Sequence, residues 1–281
     1  PMTRRIGFVD DCLDNFHADV YLKLLRGELA DLGFTVAGCT ALQTEQSQAW
    51  AVANDVPWFD TVDELDAGVD HYAILAPSTP NTHLTLCQQV FPYGKSTYVD
   101  KTFAPDLNTA KAIFSLADDH NLAVQTTSAL RYTEVQQVVD EARDRVHHMV
   151  CWGGGSSFDE YAIHPVEMMV SCLGADVTRL MRWGDTPNRD RVLLEWAHGA
   201  TGVVHVHTDG STTPFAASIS TGESTRYVTV DSGPIFSATA CAFLELFRTG
   251  VPNVARDESL SIRRILDAAV RPDATQGFID I

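Results

Sequence analysis

The stretch from residue 72 to residue 102 restricts the fold more than any other part of the chain. Tyr72-Ala73-Ile74-Leu75-Ala76 is a short apolar run that stops at Pro77-Ser78-Thr79-Pro80-Asn81. Leu84, Cys87 and Val90 follow at helical spacing, then Gly94, then the β-favouring run Tyr98-Val99 ending in Asp100-Lys101-Thr102. Strand, loop, helix, strand in about 30 residues is a βαβ unit, and it demands a parallel sheet. The carboxyl ends of such strands form a crevice that ligands occupy. Lys101 stands just past one of them. A cation there donates a hydrogen bond to a substrate oxygen and stabilises developing negative charge. The chain has only four lysines, Lys23, Lys95, Lys101 and Lys111, so this one is poor material for surface filler.

The alternation continues on both sides. Apolar runs at 5–9, 34–39 and 122–126 read as further strands, and 56–59 as a short edge strand. Helices are expected over 15–32 and 107–120, with Asp14 as the N-cap of the first and Gly33 as its stop. From residue 130 the pattern changes. Helices are expected over 134–145, 165–172, 237–249 and 258–270, and strands over 147–152, 178–183, 192–197, 202–208, 216–220 and 227–231. Turn residues such as His198-Gly199 and Asp209-Gly210 separate the later strands, which reads as an antiparallel sheet with one open face. The expected architecture is α/β: a Rossmann-like parallel-sheet domain over 1–128, then an α+β domain over 129–281 with a mainly antiparallel sheet.

Several motifs together resemble the glucose–fructose oxidoreductase/inositol dehydrogenase (Gfo/Idh/MocA) family. Asp100-Lys101-Thr102 stands where that family has Glu-Lys-Pro, after a Pro/Ser/Thr loop and His83. Gly153-Gly154-Gly155 through His164-Pro165 is similar to the family's Gly-Gly-Gly…Asp-x-Gly-x-His segment, and Leu130-Arg131-Tyr132 to its Asn-x-Arg-Tyr junction, with Ala129 in place of Asn. The resemblance implies hydride transfer between NAD or NADP and a small hydroxylated substrate (a sugar, cyclitol or related acid). It places catalytic roles on Lys101 and His164, with Asp159, Glu160 and Tyr161 beside them, and brings both to one ligand in an interdomain cleft. Cofactor contacts fall to Asp10, Thr40, Ser78, His83 and Asp100. The family's association through its second-domain sheet implies a homo-oligomer.

One place departs from that pattern. A dinucleotide-binding turn is Gly-x-Gly-x-x-Gly, because glycine lets the backbone approach the pyrophosphate and the helix N-terminus binds it. Here the turn is Asp10-Asp11-Cys12-Leu13-Asp14-Asn15. Three carboxylates stand where phosphates would sit, and unit charges about 4 Å apart repel by about 4 kcal/mol at an effective dielectric of 20. The acid expected for the adenosine ribose is replaced by Thr40. A cofactor-independent epimerase, lyase or hydrolase using Lys101, Tyr161 and His164 therefore competes with the oxidoreductase reading, and a non-catalytic ligand-binding protein is a third possibility.

Composition narrows the remainder. A net charge of −17 repels nucleic acid and anionic membranes. No run approaches the roughly 20 apolar residues of a membrane span, and the first residues lack a secretory core. A cytoplasmic protein is expected. The six cysteines are scattered without a Cys-x-x-Cys pair, so buried free thiols are expected rather than disulfides or zinc. His205 and His207 share one strand face. With His164 they form a candidate metal set, which is set against plain sheet-face histidines, and no metal is assigned. Asp10, Asp11 and Asp14 are weighed the same way, against capping and solvation.

Overall fold

A computed structural model describes residues 3–142, 145–184, 187–210 and 213–281. In chain order the first elements are β1 (Arg4–Asp10), α1 (Phe16–Arg26), β2 (Phe34–Ala41), α2 (Thr44–Ala53), α3 (Val62–Asp66), β3 (His71–Ile74), α4 (His83–Val90), β4 (Thr97–Val99), α5 (Leu107–Asp119) and β5 (Val124–Thr126). Next come α6 (Glu134–Glu141), β6 (His148–Gly154), α7 (Phe158–Tyr161), α8 (Ile163–Leu173), β7 (Val177–Trp183), β8 (Arg189–Trp196), β9 (Thr201–His207), β10 (Ala216–Ser220) and β11 (Thr225–Thr229). The last are α9 (Ile235–Thr249), α10 (Arg256–Ala269) and β12 (Ile279–Asp280).

The chain forms two compact units, Pro1–Thr127 with Phe236–Ala255, and Ser128–Ile235 with Arg256–Ile281. In the first, five parallel strands lie in the order β2-β1-β3-β4-β5. β1 is buried over its last five residues, β3 over its last three and β4 throughout, as central parallel strands covered on both faces must be. The core joins Ile6, Phe8, Tyr21, Leu22 and Tyr98 to Phe243 and Phe247 of α9. Tyr98 and Phe243 stack with ring centroids 4.7 Å apart, and Tyr21 meets Phe243 edge-on at 5.3 Å. A helix over a hundred residues downstream of β5 thus completes this core.

The expected edge strand at 56–59 is reduced to one bridge between Cys39 and Trp58. The first helix is shorter than the expected 15–32. Gly27 closes α1, and a separate 3₁₀ turn, Ala30–Leu32, ends at Gly33 with φ 77°. That left-handed stop is what glycine provides without a Cβ penalty. α6 ends at Glu141, four residues short of the expected 145, because Ala142 turns to an extended backbone, ψ 126°; residues 143 and 144 lie outside the described residues.

The second unit is a seven-stranded sheet in the order β11-β10-β6-β9-β8-β7-β12. Its pairs are antiparallel except β6 with β9. The parallel pair arises because α7 and α8 cross over between distant strands. α8 is buried on almost every side, including Met168, Met169 and Val170, and it packs on β6 and β9. The other sheet face carries partly or fully exposed Trp152, Arg191, His205 and Tyr227. Trp183 is 52% exposed and Tyr227 65%. All six cysteines are free, with Cys39, Cys87 and Cys151 buried. No helix among the described residues is long and apolar enough to cross a membrane.

Because Phe243 is fully buried among Tyr21, Tyr98 and Phe247, Phe243→Ala should destabilise the first unit by about 3–5 kcal/mol. Urea unfolding followed by tryptophan fluorescence measures it. A loss below about 1 kcal/mol would mean that α9 is not part of that core.

Candidate functional site

In the first unit the candidate residues gather at the carboxyl ends of β1, β3 and β4. Asp10 ends β1 and is 1% exposed. Its Oδ1 accepts from the backbone N–H of Ala76 at 3.0 Å and of Cys12 at 3.2 Å, and its Oδ2 from the Asn15 carboxamide at 2.9 Å. Burial pushes its pKa up to about 7, against the hydrogen bonds from Asn15, Ala76 and Cys12, which lower it. Ala76 has a left-handed φ of 44°, uncommon without glycine, and the carboxylate holds its N–H in that conformation.

Asn15, not Asp14, caps α1. The Asn15 side chain accepts from the N–H groups of His17 and Ala18, each at 3.0 Å. Asp14 is exposed. The two residues are equally good caps by type, and Leu13, fully buried with its N–H on Ser47 Oγ, sets the register. Asp11 is tied to Gln43 by a 2.9 Å hydrogen bond from the Gln43 carboxamide. The three acids therefore do not form one repelling surface. One is buried, one is paired and one faces solvent.

Asp100, 1% exposed, follows β4. It accepts from Lys101 N–H at 2.8 Å and Tyr98 O–H at 3.1 Å, and its Oδ2 lies 2.5 Å from His17 Nδ1. Burial alone would raise its pKa, but the charge and hydrogen bond of His17, with Lys101, outweigh burial and lower it. Lys101 is 6% exposed, and its ammonium donates to Pro77 O at 3.2 Å. The Lys101–Thr102 peptide is cis. His83 is fully buried: Nδ1 lies 3.0 Å from Phe103 O, and Nε2 lies 3.0 Å from Leu75 O and 3.1 Å from Ala76 O. Burial pushes its pKa down. It binds the Lys101 loop to the β3 loop from inside the core. Ser78 is exposed and Thr40 buried.

A hollow of about 430 Å³ opens at the ends of β1 and β2, lined by Val9, Thr40, Leu42, Asp60, Asp63 and Tyr93 among others. Trp58 Nε1 donates to Asp60 at 2.8 Å, and Tyr93 O–H to Asp63 at 3.0 Å. Pockets for small ligands run from about 300 Å³ upward. A larger hollow of about 870 Å³ lies on the α1–α2 flank. Its Trp50 is bonded to Asp19 and its Arg26 to the carbonyls of Asn54 and Asp55, and it holds none of the strand-end residues.

The strand-end hollow fits the adenosine half of a dinucleotide in size and polarity. The turn does not fit the pyrophosphate, because Asn15 already takes two of the N–H groups that the start of α1 would offer.

In the second unit, His164 is partly buried on α8 with Nδ1 2.7 Å from Ser128 Oγ. Its ring meets Tyr161 and Phe215, each at 5.8 Å. A Cβ at Gly155 would stand 2.2 Å from the Tyr161 ring, so this glycine exists to let the tyrosine lie against the chain. Glu160 accepts from Ser156 Oγ at 3.2 Å, while Asp159 is exposed. Arg131 bonds Glu167 and Glu258, both at 2.6 Å, and pins the segment beginning at Ser128 to α8 and α10. Burial alone would lower its pKa, but the two carboxylates raise it. His205 stacks on Trp152 at 5.6 Å, and His207 bonds Thr213. Among the described residues no group of three or more His, Cys, Asp or Glu is placed to hold a metal ion.

Sequence reasoning missed Asn15, His17 and Ser128. An Asn directly before an amphipathic run was signal enough for the first. His17 and Ser128 become visible only through partners 83 and 36 residues away.

The pH dependence of stability follows from Asp10. A carboxyl whose folded pKa is raised stabilises the fold fully below its unfolded pKa, near 3.9, and loses that contribution as pH rises through about 7. The stability difference between the wild-type protein and Asp10→Asn should therefore shift against the wild type from pH 5 to pH 8, by an amount on the order of 1–3 kcal/mol. Denaturant unfolding of both at each pH measures it, and a constant difference would contradict a pKa raised by burial of Asp10.

The model of an oxidoreductase family with the NAD-binding Rossmann fold, GFO_IDH_MocA, matches residues 14–128. No curated protein sequence matches the chain. Solved structures match throughout. A myo-inositol dehydrogenase from Corynebacterium glutamicum is 14% identical, with 100% of this chain and 99% of that one covered and a TM-score of 0.82. GenD2 from gentamicin A biosynthesis, in complex with NAD, is 16% identical, with 100% and 97% covered and a TM-score of 0.81. An oxidoreductase from Agrobacterium radiobacter, in complex with NAD+, L-tartaric acid and magnesium, is 14% identical, with 99% and 98% covered and a TM-score of 0.79. At such identities the likeness is one of fold. The family match and the parallel sheet coincide in the first unit, so the first unit is similar to the NAD-binding Rossmann domain of that oxidoreductase family.

Proposed function

We propose that the protein is an oxidoreductase acting on a small hydroxylated molecule (a sugar, cyclitol or related acid) with a nicotinamide dinucleotide as its redox partner. The observation that carries this reading is the setting of Lys101. The residue is 6% exposed at a strand end, its backbone N–H donates to Asp100 and its ammonium to the Pro77 carbonyl. Burying a lysine costs free energy unless the charge is used or paired, and functional sites concentrate such groups.

A dinucleotide, seated only once Asn15 leaves the turn, would supply the hydride acceptor. The chain's own residues manage the oxygen and the proton. Lys101 donates to the reacting oxygen and stabilises the charge that develops on it. His164, with its ring oriented by Ser128, takes the hydroxyl proton. Tyr161 is a further donor beside it, and Glu160 and Asp159 are the carboxylates of the same turn. The strand-end hollow presents Asp60 and Asp63 and no basic residue. Carboxylates accept from ribose hydroxyls and repel a 2′-phosphate, which favours NAD over NADP. An inositol dehydrogenase among the similar folds supports the substrate class. The open sheet face of the second unit is the surface through which we expect a cytoplasmic homo-oligomer to form.

A second reading is favoured by one observation, the closed Asp10–Asn15 turn. In it the protein binds no dinucleotide, and Lys101, Tyr161 and His164 move protons in an epimerase, lyase or hydrolase.

Fluorescence titration with NADH and NADPH separates the two. Saturable binding below about millimolar, with NADH tighter, is expected from the first reading, and no binding of either selects the second. Lys101→Met should lower turnover by about 10²-fold or more with an unchanged melting curve. Retained turnover would remove Lys101 from the chemistry.

A further inference from the structure

We propose that Asn15 is a built-in occupant of the phosphate seat, so that the first unit holds a dinucleotide only by displacing its own side chain. Asp10, Cys12 and Asn15 stand at the spacing of the three glycines in Gly-x-Gly-x-x-Gly, between the end of β1 and the start of α1. In a dinucleotide-binding turn that spacing frees the first helical N–H groups for a pyrophosphate. Here the Asn15 carboxamide oxygen takes His17 N–H and Ala18 N–H at 3.0 Å. Its nitrogen donates to Asp10 Oδ2 at 2.9 Å and to Cys12 O at 2.7 Å. Two donors and two lone pairs are the full capacity of an amide, and all four are used inside the turn.

The anchor of this plug is itself buried. Asp10 Oδ1 is held by Ala76 N–H and Cys12 N–H, so swinging Asn15 away strips one partner from a carboxylate that water barely reaches. Electrostatic repulsion explains the same site less well, since Asp10 faces inward, Asp11 is paired with Gln43 and Asp14 is solvated. What opposes a phosphate is a competing, internally satisfied set of hydrogen bonds.

The ligand named here rests on the oxidoreductase reading, and the test separates the two. NADH is titrated by fluorescence into the full-length wild type, Asn15→Gly, Asn15→Ala and Asn15→Asp, each with a melting curve. Glycine is a tolerated N-cap. Should it loosen the turn, alanine also removes the carboxamide and suits the extended backbone at this position, φ −146°. Asn15→Gly or Asn15→Ala should tighten NADH by about tenfold or more, the equivalent of one recovered charge-assisted hydrogen bond. Asn15→Asp, which still caps, should gain nothing. Folded Gly and Ala variants within about twofold of wild type would overturn the proposal. If all four proteins bind NADH alike, the oxidoreductase reading stands and the plug fails. If only the opened variants bind, the plug stands and the native chain works without a dinucleotide.

Discussion

The Asp10 carboxylate, buried at the end of the interior strand β1, is the interaction on which the candidate site depends. Burial of a carboxyl is costly unless its lone pairs are filled, and here three donors from three places in the chain fill them. Ala76 brings the loop after β3, Cys12 the turn itself, and Asn15 the cap of α1. Remove the carboxylate and each loses its register. The loop after β3 is held a second time by His83, which bonds the carbonyls of Leu75 and Ala76 on one side and of Phe103 on the other. Through that pair of clamps the position of Pro77, and with it the Lys101 ammonium, follows from buried hydrogen bonds rather than from surface loops.

The same network gives the two ends of a dinucleotide unequal treatment. At the β2 side there is space, with hydroxyls and carboxylates suited to a nucleoside. At the α1 side the donors are already engaged. A domain with the Rossmann sheet can therefore keep that shape while the turn that would seat a dinucleotide is built from side chains, which is why fold alone does not decide function.

Much of the first unit was readable from the residues. The βαβ pattern over 72–102 placed Lys101 at a strand end because parallel strands, buried on both faces, read as apolar runs closed by polar loops. The triple glycine and His164 were picked out by the family resemblance, and the structure gives Gly155 a physical reason, since a Cβ there would meet the Tyr161 ring. Direction and pairing were not readable. Nothing in Asp10-Asp11-Cys12-Leu13-Asp14-Asn15 says that the first acid points inward, or that the cap falls on Asn15 rather than one residue earlier. That register is fixed by Leu13, which the core swallows. The His17–Asp100 pair, the Ser128–His164 pair and the packing of Phe243 onto Tyr98 join residues distant in sequence, and no local pattern encodes them.

The central claim is that the first N–H groups of α1 are occupied by Asn15 in the ligand-free protein. Amide hydrogen exchange at His17 and Ala18, followed by NMR on the wild type and on Asn15→Gly, measures this directly. The account predicts that both amides are protected in the wild type and exchange faster in the variant, while the amides of Leu22 and Leu25 later in α1 are unchanged. Exchange at His17 and Ala18 as fast in the wild type as in Asn15→Gly would contradict it.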